Sequence, residues 1–183
     1  MSKTFHSDKC RLNIVGEWWD EMYSRRPDGS LKLEWKSPVR FNTKMDNVAI
    51  LIAALMANDG TITGGILQHA QGIGDAVWVQ PTIPAVNTAD TTLLSEAGRK
   101  GVTSIIFLDG ADLPTLTLTS KILVSTTYVE ADLAGVTIRE QALFGGDATA
   151  ALDSGIIVNV IRHHPIFKSG AAILTRNIKI TFS

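Results

Sequence analysis

Two adjacent histidines, a scatter of carboxylates and a glycine pair are the residues of this 183-residue chain whose types suggest chemistry. His163-His164 has the composition of a metal pair. The flanking apolar pattern and Pro165 make the segment extended, however, and neighbouring side chains on a strand point to opposite faces, so one ion does not take both. Asp109, Asp112, Glu130, Asp132, Glu140, Asp147 and Asp153 are enough carboxylates for a glycosidase pair. Such a pair is defined by a separation across a cleft, and most of these acids stand beside Gly or Ala in expected turns, where Asp bonds its own backbone. Gly72-Ile73-Gly74 lacks the third glycine and following helix of a dinucleotide fingerprint and reads as a turn. No nucleophile elbow, P-loop, His-Glu-x-x-His or EF-hand loop occurs. No catalytic residue, cofactor or metal ligand is expected, and the chain is read as a non-enzyme.

Glu140 is the acid that stands out. In Val136–Phe144 it shares parity with Val136, Ile138, Ala142 and Phe144, so it is expected to point inward. A buried carboxylate costs several kcal/mol unless it is paired and hydrogen-bonded. The expected role is structural, with Arg99 as partner and Arg176 as second choice.

The elements that must position these residues follow from patterning. Composition alone, 45% hydrophobic and 19% charged, indicates a folded chain with a core. The single cysteine, Cys10, excludes an intramolecular disulfide framework and a Cys-based structural zinc site. The net charge of -1 argues against a nucleic-acid partner, which requires Lys and Arg in excess on one face. The longest apolar run, Val48–Ala57, is about half of the roughly 18 residues a membrane span needs, and no apolar signal core precedes it, so a soluble chain without a membrane partner is expected.

Charge is unevenly spread. Residues 1–46 hold 9 basic and 7 acidic residues, leaving 8 and 11 for the 137 that follow, and three of the four tryptophans (Trp18, Trp19 and Trp35) lie in that first part. Large aromatics among solvating charges suit a segment that docks on a neighbour, so these three are the expected interface residues. Residues 1–37 therefore read as a charged N-terminal arm, with a hairpin turning at Pro27-Asp28-Gly29-Ser30 and Leu31, Leu33 and Trp35 on one face. Residues 38–60 read as a helix packed on the body. Phe41, Met45, Val48, Ile52 and Leu55 form its stripe, Ser37-Pro38 or Thr43 with Asp46 starts it, and Asn58-Asp59-Gly60 stops it. Residues 61–183 read as sheet, with strands near 65–70, 103–108, 115–124, 136–144, 156–161 and 177–182, and a loop over Asp75–Ala89. The fold class is mainly β: an antiparallel β-sandwich with one packed α-helix and an extended N-terminal arm and hairpin.

Several ordered pieces carry a resemblance. Gly72-x-Gly74 with Trp78, then Asp90-Thr91-x-Leu93-x-x-Glu96-x-x-Arg99, then Thr137-Ile138-Arg139-Glu140-x-x-Leu143-Phe144-Gly145-Gly146, then Pro165-Ile166-x-Lys168 and the closing Ile178–Phe182 are similar to small structural proteins of tailed bacteriophages. Those proteins occur with tail, baseplate, collar and fibre-attachment components. The resemblance covers roughly residues 64–183 and implies a virion protein made in the host cytoplasm. It would be an adaptor or attachment subunit in the tail, baseplate or collar, present as a homo-oligomer among other virion structural proteins. A capsid decoration protein and a host-surface carbohydrate-binding module, the latter with Trp78 stacking on a sugar, are the alternatives.

Overall fold

In the computed structural model of the protein, residues 13–58, 60, 62, 64–78 and 82–183 are described. The first 12 residues of the expected arm, with Cys10, lie outside the described residues, as do Asp59 of the helix stop and Pro81 of the loop.

The hairpin forms as its turn chemistry dictates. β1 (Ile14–Arg25) and β2 (Leu31–Lys36) flank Pro27–Ser30. There Gly29 takes φ +84°, a region open to a residue without Cβ, and donates its N–H to the Arg26 carbonyl (2.9 Å). Asp28 Oδ1 accepts from the Ser30 N–H at 2.9 Å, the backbone bond expected of Asp in a turn. Two short strands follow, β3 (Arg40–Phe41) and β4 (Thr43–Lys44), then α1 (Val48–Ala57). The helix starts later than its apolar stripe. Thr43 and Lys44 are taken as a strand against Val160 and Asn159, and the Met45 N–H donates to the Val158 carbonyl, so sheet pairing competes successfully for the first residues of the stripe. Phe41 is consequently exposed, while Met45, Val48 and Leu51 are buried. Asn58 closes the helix in the left-handed conformation that Asn tolerates.

The rest is sheet: β5 (Gly64–Gly72), β6 (Glu96–Gly101), β7 (Ser104–Leu108), β8 (Pro114–Thr115), β9 (Lys121–Tyr128), β10 (Val136–Gly146), β11 (Ile156–Lys168) and β12 (Ala172–Phe182). The alternation expected through 115–124 breaks into two elements. Leu116 and Leu118 lie between β8 and β9 and are exposed, while the half-buried alternation resumes along β9.

Two antiparallel sheets result, and the mainly β sandwich with one helix is as expected. The first has the order β2-β1-β12-β9-β7-β8, with β3 also paired to β1; the second has the order β4-β11-β10-β5-β6. β1 pairs with β12 from Ile14↔Phe182 to Ser24↔Ala172. The segment expected as a separate arm is thus a full strand inside the first sheet. Between the sheets, Trp18, Val124, Ile178 and Ile180 of the first meet Leu143, Val158 and Ile161 of the second, with Val48 and Leu51 of α1 at one end. The other face of the second sheet is also covered: Ala70, Ala142, Phe144, Ile157 and Val160 pack with Met45, Leu93 and Val86. Burial on both faces explains why Ile156–Ile161, apart from Asn159, is apolar on both parities.

Candidate functional site

Buried polar side chains meet between the two sheets and on the covered outer face of the second sheet, and exposed apolar groups lie at the edges of the first. Between the sheets, Asp20 (β1), Arg176 (β12), His163 (β11), His69 and Gln71 (β5), Gln141 (β10) and Thr126 and Tyr128 (β9) are all sealed from solvent. Their chemistry follows from their donors. Arg176 has no acceptor, so its Nη1 donates to His163 Nε2 (3.1 Å), which must be unprotonated; His163 then donates from Nδ1 to the carbonyl of His164 (2.6 Å) and is a neutral imidazole. Burial, with Arg176 beside it, holds the His163 pKa well below its ordinary value. Burial and then the same guanidinium also lower His69, to about 3, while its Nε2 donates to Gln141 Oε1 at 2.8 Å. Gln71 Nε2 donates to the Tyr128 hydroxyl (3.0 Å), and that hydroxyl donates to the His69 carbonyl. Asp20 lies 3.5 Å from Arg176, and desolvation outweighs the attraction of Arg176 and Arg40, so its carboxyl is raised.

A sealed set of this kind orders a core; with every member at or near zero exposure, no solute reaches it. Among the described residues, neither Oδ1 nor Oδ2 of Asp20 and neither Nε nor Nη2 of Arg176 has a hydrogen-bond partner, so the Asp20–Arg176 contact is a buried ion pair rather than a satisfied network. His163 is buried and His164 exposed, the opposite facing expected of neighbours on a strand. Among the described residues, no three His, Cys, Asp or Glu side chains are grouped to hold a metal ion.

The second buried polar group corrects the expected Glu140–Arg99 pair. Glu140 is fully buried, but a register shift after Ile138 puts it with Ala142 and Phe144 on the face of the second sheet turned away from the first, and its Oε1 accepts from the Ser95 backbone N–H (2.9 Å). Gly72 makes room for it: a Cβ there would lie 2.6 Å from the Glu140 side chain. Arg99 instead grips Glu96, with Nε and Nη2 donating to its two oxygens at 2.6 Å each and both side chains sealed. Arg99 also lies over the Phe144 ring at 4.4 Å and donates from Nη1 to the Ser154 carbonyl at 2.8 Å, clipping that loop to the sheet. On a regular strand, residues three apart face opposite ways. Here the register jumps from Gly72↔Glu96 to Gln71↔Gly98, an extra residue in β6 that turns Glu96 and Arg99 to the same face. Arg176, the second choice for Glu140, belongs to Asp20 and His163.

The three tryptophans expected at an interface separate. Trp18 is 3% exposed, a core residue stacked obliquely on His163 with ring centres 5.5 Å apart, and so is not an interface residue. Trp19 is half-buried under the Lys36 ammonium, 5.7 Å from the ring centre. Trp35 is 42% exposed on β2. It does not share the face of Leu31 and Leu33. Met22 pairs with Trp35 and Tyr23 with Leu33, adjacent residues of β1 that face opposite ways, because β2 carries one extra residue at the bulge. Every residue of β2 is exposed, and Val39 and Phe41 continue an apolar rim beyond it. A second exposed apolar group, Leu113, Leu116 and Leu118, lies at the opposite edge of the first sheet. Trp78 is 6% exposed, packed near Gly74 with the Arg162 guanidinium 4.8 Å from its ring centre; it is a lid on the sheet and presents no face to a sugar.

Sequence reasoning passed over Asp20 and His69, and it named Arg176 only as a second partner for Glu140 and Lys168 only within the resemblance. Of these, Lys168 is fully buried, its ammonium donating to the carbonyls of Ala172 (2.8 Å) and Glu130 (3.2 Å). Asp20 carries a signal in retrospect, since it shares the parity of Trp18 and Met22. Compared with protein-family models, curated proteins and solved structures, the chain gives no match.

Proposed function

We propose that the protein is a structural subunit of a tailed bacteriophage virion, an adaptor or attachment piece of the tail, baseplate or collar, and not an enzyme. The observation that carries this reading is the contrast between a sealed sandwich and an exposed apolar rim, Leu31, Leu33, Trp35, Val39 and Phe41, along one edge of its first sheet. Exposed apolar residues along an edge, here Leu31 and Leu33 on one face and Trp35 on the other, mark a contact region. With Leu113, Leu116 and Leu118 at the opposite edge, the body offers two distinct surfaces, as a part set between neighbours requires. The ordered pieces that resemble tail and baseplate proteins are consistent with this. Several of them (Gly72, Trp78, Glu96 with Arg99, and Glu140) pack the second sheet together and so serve the rigidity of the body. In this reading the protein is made in the host cytoplasm, assembles as a homo-oligomer with other virion structural proteins, and uses no cofactor.

Negative-stain imaging of particles produced without the protein tests the proposal. Particles lacking tail appendages are the expected result. Infectious particles with every appendage in place overturn it, and a copy number matching the capsid lattice would make it a decoration protein instead.

A further inference from the structure

We infer that β2 is a self-association strand, pairing antiparallel with β2 of a second copy about a two-fold axis at Leu33. This goes beyond the virion reading and stands or falls separately from it.

The backbone is available. Arg26 donates its N–H to the Ser30 carbonyl next to the turn. Antiparallel pairs alternate between bonded and non-bonded, so Leu31↔Arg25 and Leu33↔Tyr23 are non-bonded and turn the N–H and C=O of Leu31 and Leu33 away from β1. Among the described residues β2 ends the sheet, all six of its residues are exposed, and no bulge falls between Leu31 and Leu33. A free edge of this kind accepts another strand.

Charge decides which strand. Lys32 and Glu34 lie on one face and are joined by an ion pair at 3.0 Å within the chain. With the axis at Leu33, Lys32 of each copy stands opposite Glu34 of the other, the two ion pairs merge into one cluster of four alternating charges, and Leu33 meets Leu33. Shifting the axis to Lys32 puts lysine on lysine. Shifting it to Glu34 puts Glu34 on Glu34. Like charges directly opposed destabilise a strand pair, so β2 is complementary to itself in one register among these three. Two reciprocal main-chain bonds at Leu33 fix that register, and the first sheet runs on into the second copy. Such a contact uses the same surface on both sides and closes on two copies, leaving Leu113, Leu116 and Leu118 for other neighbours. A six-residue edge is small beside the roughly 1,200 Å² of a standard interface, so a weak dimer is expected.

Sedimentation equilibrium of the full chain should show a monomer–dimer equilibrium. Glu34→Lys should weaken it at least tenfold, and Lys32→Glu added to Glu34→Lys should restore it, because the swapped charges again alternate. In a Cys10→Ser background, Leu33→Cys should form an interchain disulfide under mild oxidation, since bonded antiparallel partners lie about 5.5 Å apart at Cα. Leu31→Cys should not, its two copies being about 14 Å apart. Thermal melts of each variant establish that the fold is kept. A chain that stays monomeric overturns the inference. So does a dimer indifferent to both charge changes, or one that cross-links through residue 31 as readily as through residue 33, and so does a β2 edge that captures only a different protein.

Discussion

The first and last parts of the β1–β2 hairpin have nearly the same composition, charges around large aromatics, and opposite fates. Trp18 and Asp20 are sealed between the sheets, while Leu31–Lys36 is exposed throughout. The difference lies in what stands opposite. β1 has β12 along its whole length on one side and faces the second sheet, whereas β2 ends the first sheet. A tryptophan among charges is thus equally compatible with a core and with a rim.

The sharpest way to break this comparison is to remove one side of the buried pair. Arg176→Ala should cost about 3–5 kcal/mol in denaturant unfolding, because it removes the buried counter-charge of Asp20. A loss under 1 kcal/mol would mean that the polar centre is hydrated and soft. Trp18→Ala should cost a similar amount, about 3–5 kcal/mol, whereas Trp35→Ala should stay within roughly 0.5 kcal/mol for the monomer. Equal losses at the two tryptophans would erase the distinction between core and rim.

Acid sharpens it next. His69 and His163 are held below their ordinary value of 6.5, so the unfolded chain binds more protons than the folded one once the pH falls under 6.5. Stability is therefore complete above pH 6.5 and declines below it, for His69 down to about pH 3. Within its window each histidine contributes a slope of about 1.4 kcal/mol per pH unit. Asp20, raised from 3.8, acts with the opposite sign, stabilising as the pH falls through its folded-state value, so it offsets part of the decline. Melting temperatures at pH 7.5 and pH 5 should differ, and His163→Gln should flatten the dependence; a pH-independent melt would contradict a sealed neutral pair.

Smaller effects come from the second sheet. Gly72→Ala should cost about 1–3 kcal/mol, since the added methyl meets Glu140 at 2.6 Å and the Ser95 carbonyl at 2.8 Å. A double-mutant cycle on Glu96 and Arg99 should show coupling, and one on Glu140 and Arg99 much less; the reverse order would restore the pair expected from parity.

Much of the fold was legible because it rests on local rules. The Pro-Asp-Gly-Ser turn, the Asn58 helix stop and the period-two strands near 136–144, 156–161 and 177–182 need only φ preferences and side-chain alternation. Two bulges set the limits of that reading. One extra residue in β6 brought Glu96 and Arg99 together, and one in β2 turned Trp35 away from Leu31 and Leu33. The helix stripe failed at its start for a related reason: pairing of Thr43 and Lys44 with β11 lies outside any window of sequence.

By itself the sequence determined a mainly β chain with one helix, a buried Glu140, a hairpin turning at Gly29 and opposite facing for His163 and His164, because each follows from the conformations and periodicity of neighbouring residues. Only the tertiary structure decided that Trp18 is core, that Asp20, Arg176 and two histidines share a sealed centre, and that among the described residues β2 is an open edge. Those outcomes depend on which distant strand lies opposite, and the energy of a buried charge or a free main-chain group is set by that neighbour.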